Sequence, residues 1–231
     1  MWVKICGNTN LEDAALAAEL GADAVGFVFA ASRRQVTAAQ VSAITMHLPD
    51  EVERVGVFDS HDAGEIAAVA QEAGLTAVQL HGGLDEKLLG QLRDRLAGRV
   101  RVIQTLHWEV GSPANTESAP DIQADRLAAQ IECAAALGVD RFLIDSKVSS
   151  SSGGIGVAFD WAAASKVFAS APAEVQLIVA GGLTPENVAL AIERLCPWGV
   201  DVSSGVEASP GRKDPAKLAQ FIASARGAKT P

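Results

Sequence analysis

The feature that most constrains this chain is an alternation repeated from end to end. Short apolar runs alternate with longer helical patterns eight times, with no clear hairpin signal between them. Strands are expected at Trp2–Cys6, Ala24–Phe29, Val52–Phe58, Thr76–Leu80, Val100–Thr105, Arg141–Asp145, Val175–Ala180 and Val200–Ser203. Helical patterns lie between them, at Leu11–Leu20, Ala38–His47, Ala63–Ala73, Asp85–Leu96, Ala124–Leu137, Trp161–Ala169, Pro185–Leu195 and Pro215–Ala225. Strands separated by helices pair in parallel. The 231 residues divided into eight units give about 29 each, room for one strand, one helix and two short connections. The expectation is an α/β protein, a single-domain (β/α)8 TIM barrel spanning residues 1–231. No GxGxxG follows the first strand, which argues against an open dinucleotide-binding sheet.

Punctuation agrees with this reading. Gly21, Gly74 and Gly138 each follow an alanine-rich helix where a left-handed residue is wanted. Thr184-Pro185 and Asp214-Pro215 each put a capping oxygen before a first-turn proline. Trp108–Gln123 is polar and turn-rich and is expected as a long loop after the fifth strand. The tail from Gly227 is expected to fray.

Charge excludes some partners. Lys and Arg number 19 against 28 Asp and Glu, for a net charge of −9, so nothing draws the chain at long range to nucleic acid or an anionic membrane. No apolar run reaches the roughly 18–20 residues of a membrane span, and no secretory signal opens the sequence. Three cysteines without a CxxC pattern speak against a disulfide framework or a cysteine-built zinc site. A cytoplasmic location with reduced thiols follows as the expectation.

Active sites of such barrels gather at the C-terminal ends of the strands. Cys6, His81, Asp145, Gly181-Gly182 and Ser203-Ser204-Gly205 all end or follow strands, and Arg33 and Arg34 lie just beyond the second. Period-two alternation turns Trp2, Lys4 and Cys6 inward together, and likewise Leu143 with Asp145. Asp201 shares a face with Ser203. Because the first and eighth strands meet when the barrel closes, Lys4 is expected to pair with Asp201, and its charge to favour a thiolate at Cys6. Two glycine-bearing loops on adjacent strands suit a phosphate, whose oxygens backbone N–H groups can approach closely. No metal is expected: no second histidine stands at ligand spacing from His81, and His47, His61 and His107 form no constellation in the sequence. The bland readings are a buried apolar Cys6, a solvated Arg34 and a structural His81.

The chain resembles the phosphoribosylanthranilate isomerases, the tryptophan-pathway members of the ribulose-phosphate-binding barrels. The resemblance rests on VKICGNTN, GADAVGFVFAASRR, VQLHG, FLIDSKVSSSSGGIGVAFDW, LIVAGGLTPENV and DVSSGVEASPGRKD, in that order over nearly the whole length. It implies an Amadori rearrangement of a phosphosugar, without cofactor, with Asp145 as general acid and Cys6 as general base. It also implies that Arg34 contacts the anthranilate carboxylate, that His81 stands at the site rim, and that Gly156 donates a backbone N–H from a glycine-rich loop. One departure is Val102-Ile103-Gln104-Thr105, where the family often has a lysine in a VIKA-like segment. A related histidine-pathway isomerase would place an aspartate where Cys6 stands; a non-catalytic phosphate-binding barrel would need neither Cys6 nor Asp145. A monomer is expected, with a homodimer left open.

Overall fold

The computed structural model describes residues 1–110, 120–148 and 161–228. Eight parallel strands close into a barrel in sequence order: β1 (Trp2–Ile5), β2 (Ala24–Val28), β3 (Glu53–Phe58), β4 (Ala77–Leu80), β5 (Arg101–Val110), β6 (Arg141–Val148), β7 (Gln176–Ala180) and β8 (Gly199–Val202). β1 pairs with β8 in the register Lys4 to Asp201, which seals the cylinder. The helices are α1 (Leu11–Glu19), α2 (Ala38–Thr45), α3 (Ala63–Glu72), α4 (Glu86–Leu96), α5 (Pro120–Ala136), α6 (Trp161–Ser170), α7 (Val188–Leu195) and α8 (Pro215–Gly227).

Alternation along the strands divides the apolar residues in two. Val3, Ile5, Val25, Phe27, Phe142 and Ile144 point outward into the large core shared with the helices. Ala24, Val55, Ala77, Ile103, Leu143 and Ile178 point inward and form a small separate core along the axis. The floor of the barrel is closed by the stacked rings of Trp2 and Trp198, 5.1 Å between centroids, with the Arg141 guanidinium over both. Among the described residues, no helix is long and apolar enough to cross a membrane.

Helix ends follow the expected chemistry in most places. Gly21, Gly74 and Gly138 take positive φ after α1, α3 and α5. Asp214 caps α8, accepting from the N–H groups of Ala216 and Lys217. Thr184 supplies its capping oxygen too, Oγ1 accepting from Glu186 N at 3.3 Å, but the regular helix starts late. α7 begins only at Val188, because Asn187 turns its side chain back on the loop: Oδ1 accepts from Thr184 N and Nδ2 donates to Gly182 O. Asparagine competes with the helix in this way.

Three further expectations need correction. The loop placed at Trp108–Gln123 is shorter, since β5 runs on to Val110 and α5 starts at Pro120; residues 111–119 lie outside the described residues. β5 is extended by the ladder to β6, which continues through Trp108–Ser146 to Val110–Val148, and Trp108 is buried in the outer core. Pro120 opens a helix because its fixed φ and missing N–H suit a first turn. Asp145 is not the last residue of β6, which continues to Val148 for the same reason. Finally, a short antiparallel ribbon, β9 (Glu207–Ser209) and β10 (Arg212–Lys213), turns at Pro210-Gly211 after β8. At the C-terminus, α8 holds through Gly227.

Candidate active site

A cavity of about 500 Å³ opens at the C-terminal ends of the strands. Cys6, Arg34, His81 and Asp145 line it, as do Gly181, Gly182, Ser203, Ser204 and Gly205. Every expected site residue therefore reaches one mouth except Gly156, which lies outside the described residues. β1, which delivers Cys6, and β6, which carries Asp145, stand three strands apart around the closed barrel.

The inward face of β1 carries Lys4 and, one inward position higher, Cys6. Lys4 is fully buried and its Nζ donates to Asp201 Oδ1 at 2.9 Å. Burial pulls the ammonium down, but Asp201 and Cys6 outweigh it, and Lys4 holds its proton more tightly than a free lysine. Gly26 on β2 makes this arrangement possible. A Cβ there would stand 2.9 Å from Cys6 Sγ and 3.0 Å from Lys4 Cε. Asn8 then ties the first loop down, with Nδ2 donating to the carbonyls of Ile5 and Gly26.

Cys6 does not rest as the thiolate that its charged neighbours suggested. Burial pushes the thiol up; Lys4 and Lys213 pull it down, Asp201 adds to the rise, and the balance is above the ordinary 9.0. Burial is the largest cause, and Lys4 counters it only in part because it is not a lone cation. Its charge is shared with Asp201, so its net field at the sulfur is weaker than that of an isolated ammonium.

Gly181 and Gly182 follow β7, while Ser203, Ser204 and Gly205 follow β8. Gly181 and Gly182 both have positive φ. The two loops touch at Gly205, where a Cβ would fall 1.9 Å from the Leu183 carbonyl oxygen. Only glycine fits that approach, which brings the main chains after β7 and β8 together as an anion cradle requires.

Arg34 is held by a partner to which the sequence motifs assign no role. Its Nε and Nη2 donate to Glu207 Oε1 and Oε2 at 2.7 and 2.6 Å, a two-pronged pair. Among the described residues Nη1 makes no hydrogen bond and remains available to an incoming carboxylate. Glu207 also accepts from Lys213 Nζ at 3.3 Å and from Gly211 N at 3.2 Å. Burial pushes the Glu207 carboxyl up, yet Arg34, Lys213 and the Gly211 N–H hold it below its ordinary 4.5. Lys213, itself buried, donates to Cys6 O at 2.5 Å and to Ser203 O at 3.2 Å, which stitches the ends of β1 and β8 together. Both residues lie in DVSSGVEASPGRKD. A buried Lys and Glu within one short ribbon are visible in the sequence only as charged residues of a turn.

His81 and His107 correct the expectation that no second histidine accompanies His81. They are 26 residues apart, but alternation points Ala77, Gln79 and His81 inward on one side of the β4–β5 seam and Ile103, Thr105 and His107 on the other. Their rings meet edge to face at 4.8 Å between centroids, and His107 stands in register with Asp145 of β6. Gln79 Nε2 donates to Thr105 Oγ1 beneath them, so Thr105 is part of the barrel lining where the VIKA-like pattern departs.

Comparison with known proteins agrees with this fold. The model of the N-(5'-phosphoribosyl)anthranilate isomerase family matches residues 3–224. The N-(5'-phosphoribosyl)anthranilate isomerase of Thermotoga neapolitana is 42% identical, over 97% of this chain and 98% of its own. That of Pelobacter propionicus is 39% identical, over 95% and 93%. The crystal structure of the Thermotoga maritima phosphoribosyl anthranilate isomerase superposes with a TM-score of 0.78 at 38% identity, covering 98% of this chain and 99% of that one. A structure of such an isomerase with reduced 1-(o-carboxyphenylamino)-1-deoxyribulose 5-phosphate gives a TM-score of 0.76 at 36% identity, with the same coverage. The chain belongs to the N-(5'-phosphoribosyl)anthranilate isomerase family.

Proposed function

We propose that the chain isomerises N-(5-phosphoribosyl)anthranilate to 1-(o-carboxyphenylamino)-1-deoxyribulose 5-phosphate, a step of tryptophan biosynthesis, with Asp145 as general acid and Cys6 as general base. The observation that carries this reading is the convergence of both groups on one cavity that also holds two glycine-bearing loops and an arginine. Asp145 protonates the ring oxygen and the aminal opens to a Schiff base. Cys6 removes the C2′ proton to give an enolamine, which tautomerises to the ketone. The net change is an isomerisation, and electrons move only within the substrate.

The substrate's two anionic ends match two places. Its phosphate goes to the main-chain amides of Gly182 and Ser204, and its carboxylate to Nη1 of Arg34. This local attraction overcomes the unfavourable net charge. A rim aromatic contact is left to His81, and a further amide to Gly156. A cytoplasmic location belongs to the same proposal, because a phosphorylated sugar does not cross a membrane unaided. The chain is taken to act as a monomer, and sedimentation would reveal a homodimer instead.

The test is the loss of anthranilate-type fluorescence when the protein is added to freshly made substrate. The wild-type chain should extinguish it. Cys6→Ala and Asp145→Asn should each slow turnover by about 10²–10⁴-fold with the circular dichroism spectrum unchanged. No loss of emission with folded wild-type protein would refute the activity, and near-normal kcat in either variant would refute that residue's role.

A further inference from the structure

His81, His107 and Asp145 form a group that the isomerisation does not use in full. One ligand-capable atom from each lies within 4.8 Å of those of the other two. His107 Nε2 sits 2.9 Å from the His81 carbonyl oxygen. A carbonyl only accepts, so Nε2 carries the proton, and the neutral ring is left with a bare lone pair on Nδ1. That Nδ1 is buried and meets no hydrogen-bond partner among the described residues. An unsatisfied buried acceptor is unfavourable. A ring nitrogen locked onto a main-chain carbonyl, with the other nitrogen unpartnered in a histidine that neighbours a carboxylate and a second imidazole, is the arrangement that orients histidine toward a metal.

We propose that this corner binds one divalent transition metal of the zinc class through His107 Nδ1, a ring nitrogen of His81 and the Asp145 carboxylate, and that the bound ion blocks the isomerase. Two imidazoles and a carboxylate suit zinc and its neighbours and leave a position for water. Donors around such an ion stand roughly 3.3 Å apart when its bonds are about 2.0–2.1 Å. The separations must therefore shrink by up to about 1.5 Å, shared among three side chains of which His81 and Asp145 line the cavity. The inhibitory consequence rests on the reading of Asp145 as the acid, because a metal-bound carboxylate has no proton to donate. The binding site does not depend on that reading.

The first experiment needs no substrate. Cobalt(II) is titrated into the Cys133→Ser, Cys196→Ser protein, which removes the two accessible thiols. One equivalent per chain should bind, with visible ligand-field bands and without the near-ultraviolet band of a thiolate ligand, and zinc should displace it. His107→Phe keeps a ring against His81 but cannot ligate, and should weaken binding at least ten-fold. If His107→Phe does not fold, His107→Gln retains a donor to the carbonyl and should show the same loss. Absence of cobalt binding up to millimolar concentration, or binding that neither His107 variant weakens, would overturn the site. In the second experiment, zinc should lower the kcat of the wild-type chain, a chelator should reverse this, and the His107 variant should resist. Stoichiometric binding with undiminished turnover would overturn the inhibition and count against Asp145 as the acid, with the metal site itself established.

Discussion

At Cys6 the relevant quantity is a balance between burial and charge. The free-site thiol lies above its ordinary 9.0 despite two nearby lysines. In Asp145→Asn, where no carboxyl titrates against it, the residual kcat/KM, which reports the free enzyme, should climb with pH through at least pH 9 on the fluorescence assay if the Cys6 anion is the base. A plateau reached by pH 7 in that variant would contradict the assignment. Lys4 is the second residue whose removal is informative. Lys4→Met leaves Asp201 buried without its cation, which should cost about 3–5 kcal/mol in denaturant unfolding. The double variant Lys4→Met, Asp201→Asn should recover part of that loss. The pair itself was legible from strand parity and barrel closure. The direction of the Cys6 shift was not, because it depends first on how deeply the sulfur is buried and then on how Asp201 offsets Lys4.

Among the elements, the loop after β8 lines the cavity and the β9–β10 ribbon holds Arg34 through Glu207. Arg34→Ala should raise KM more than it lowers kcat, as expected of a contact made equally in ground and transition states. Arg34→Lys should not restore it, since an ammonium cannot grip Glu207 with two parallel bonds and still offer a third group. Gly205→Ala would force the Leu183 carbonyl aside. It should cost about 1–3 kcal/mol and weaken phosphate binding, read as a raised KM. The glycine loops were legible in the sequence because Gly181-Gly182 and Gly205 follow adjacent strands, where bare main chain can meet an anion. The Glu207–Arg34–Lys213 cluster was not, since its members lie 173 and 6 residues apart and look like solvated charges. Likewise the alternation showed where β5 and β6 begin but not where they stop, because their extension depends on pairing with each other.

Over the whole molecule, the eight-fold repeat was plain in the sequence, and what it left open were long-range polar contacts. One of these links stability to pH. The Glu207 carboxyl is lower in the folded chain than in the unfolded one. It therefore stabilises the fold fully above its unfolded value near 4.5, and that contribution disappears as pH falls through the folded value. Unfolding midpoints measured from roughly pH 5 to pH 3 should fall with a shallower slope in Glu207→Gln than in the wild-type chain. Equal slopes would show that Glu207 titrates alike in both states.

The central claim is that a sulfur and a carboxyl act on one sugar whose phosphate is held by main-chain amides. The most direct measurement is a crystal structure of this chain with reduced 1-(o-carboxyphenylamino)-1-deoxyribulose 5-phosphate. The account predicts the phosphate on the amides of Gly182 and Ser204, the anthranilate carboxylate on Arg34, and C2′ in contact with Cys6 Sγ. Asp145 should face the oxygen that closes the ring in the substrate. A ligand with its phosphate elsewhere, or a sugar out of reach of either Cys6 or Asp145, would contradict it.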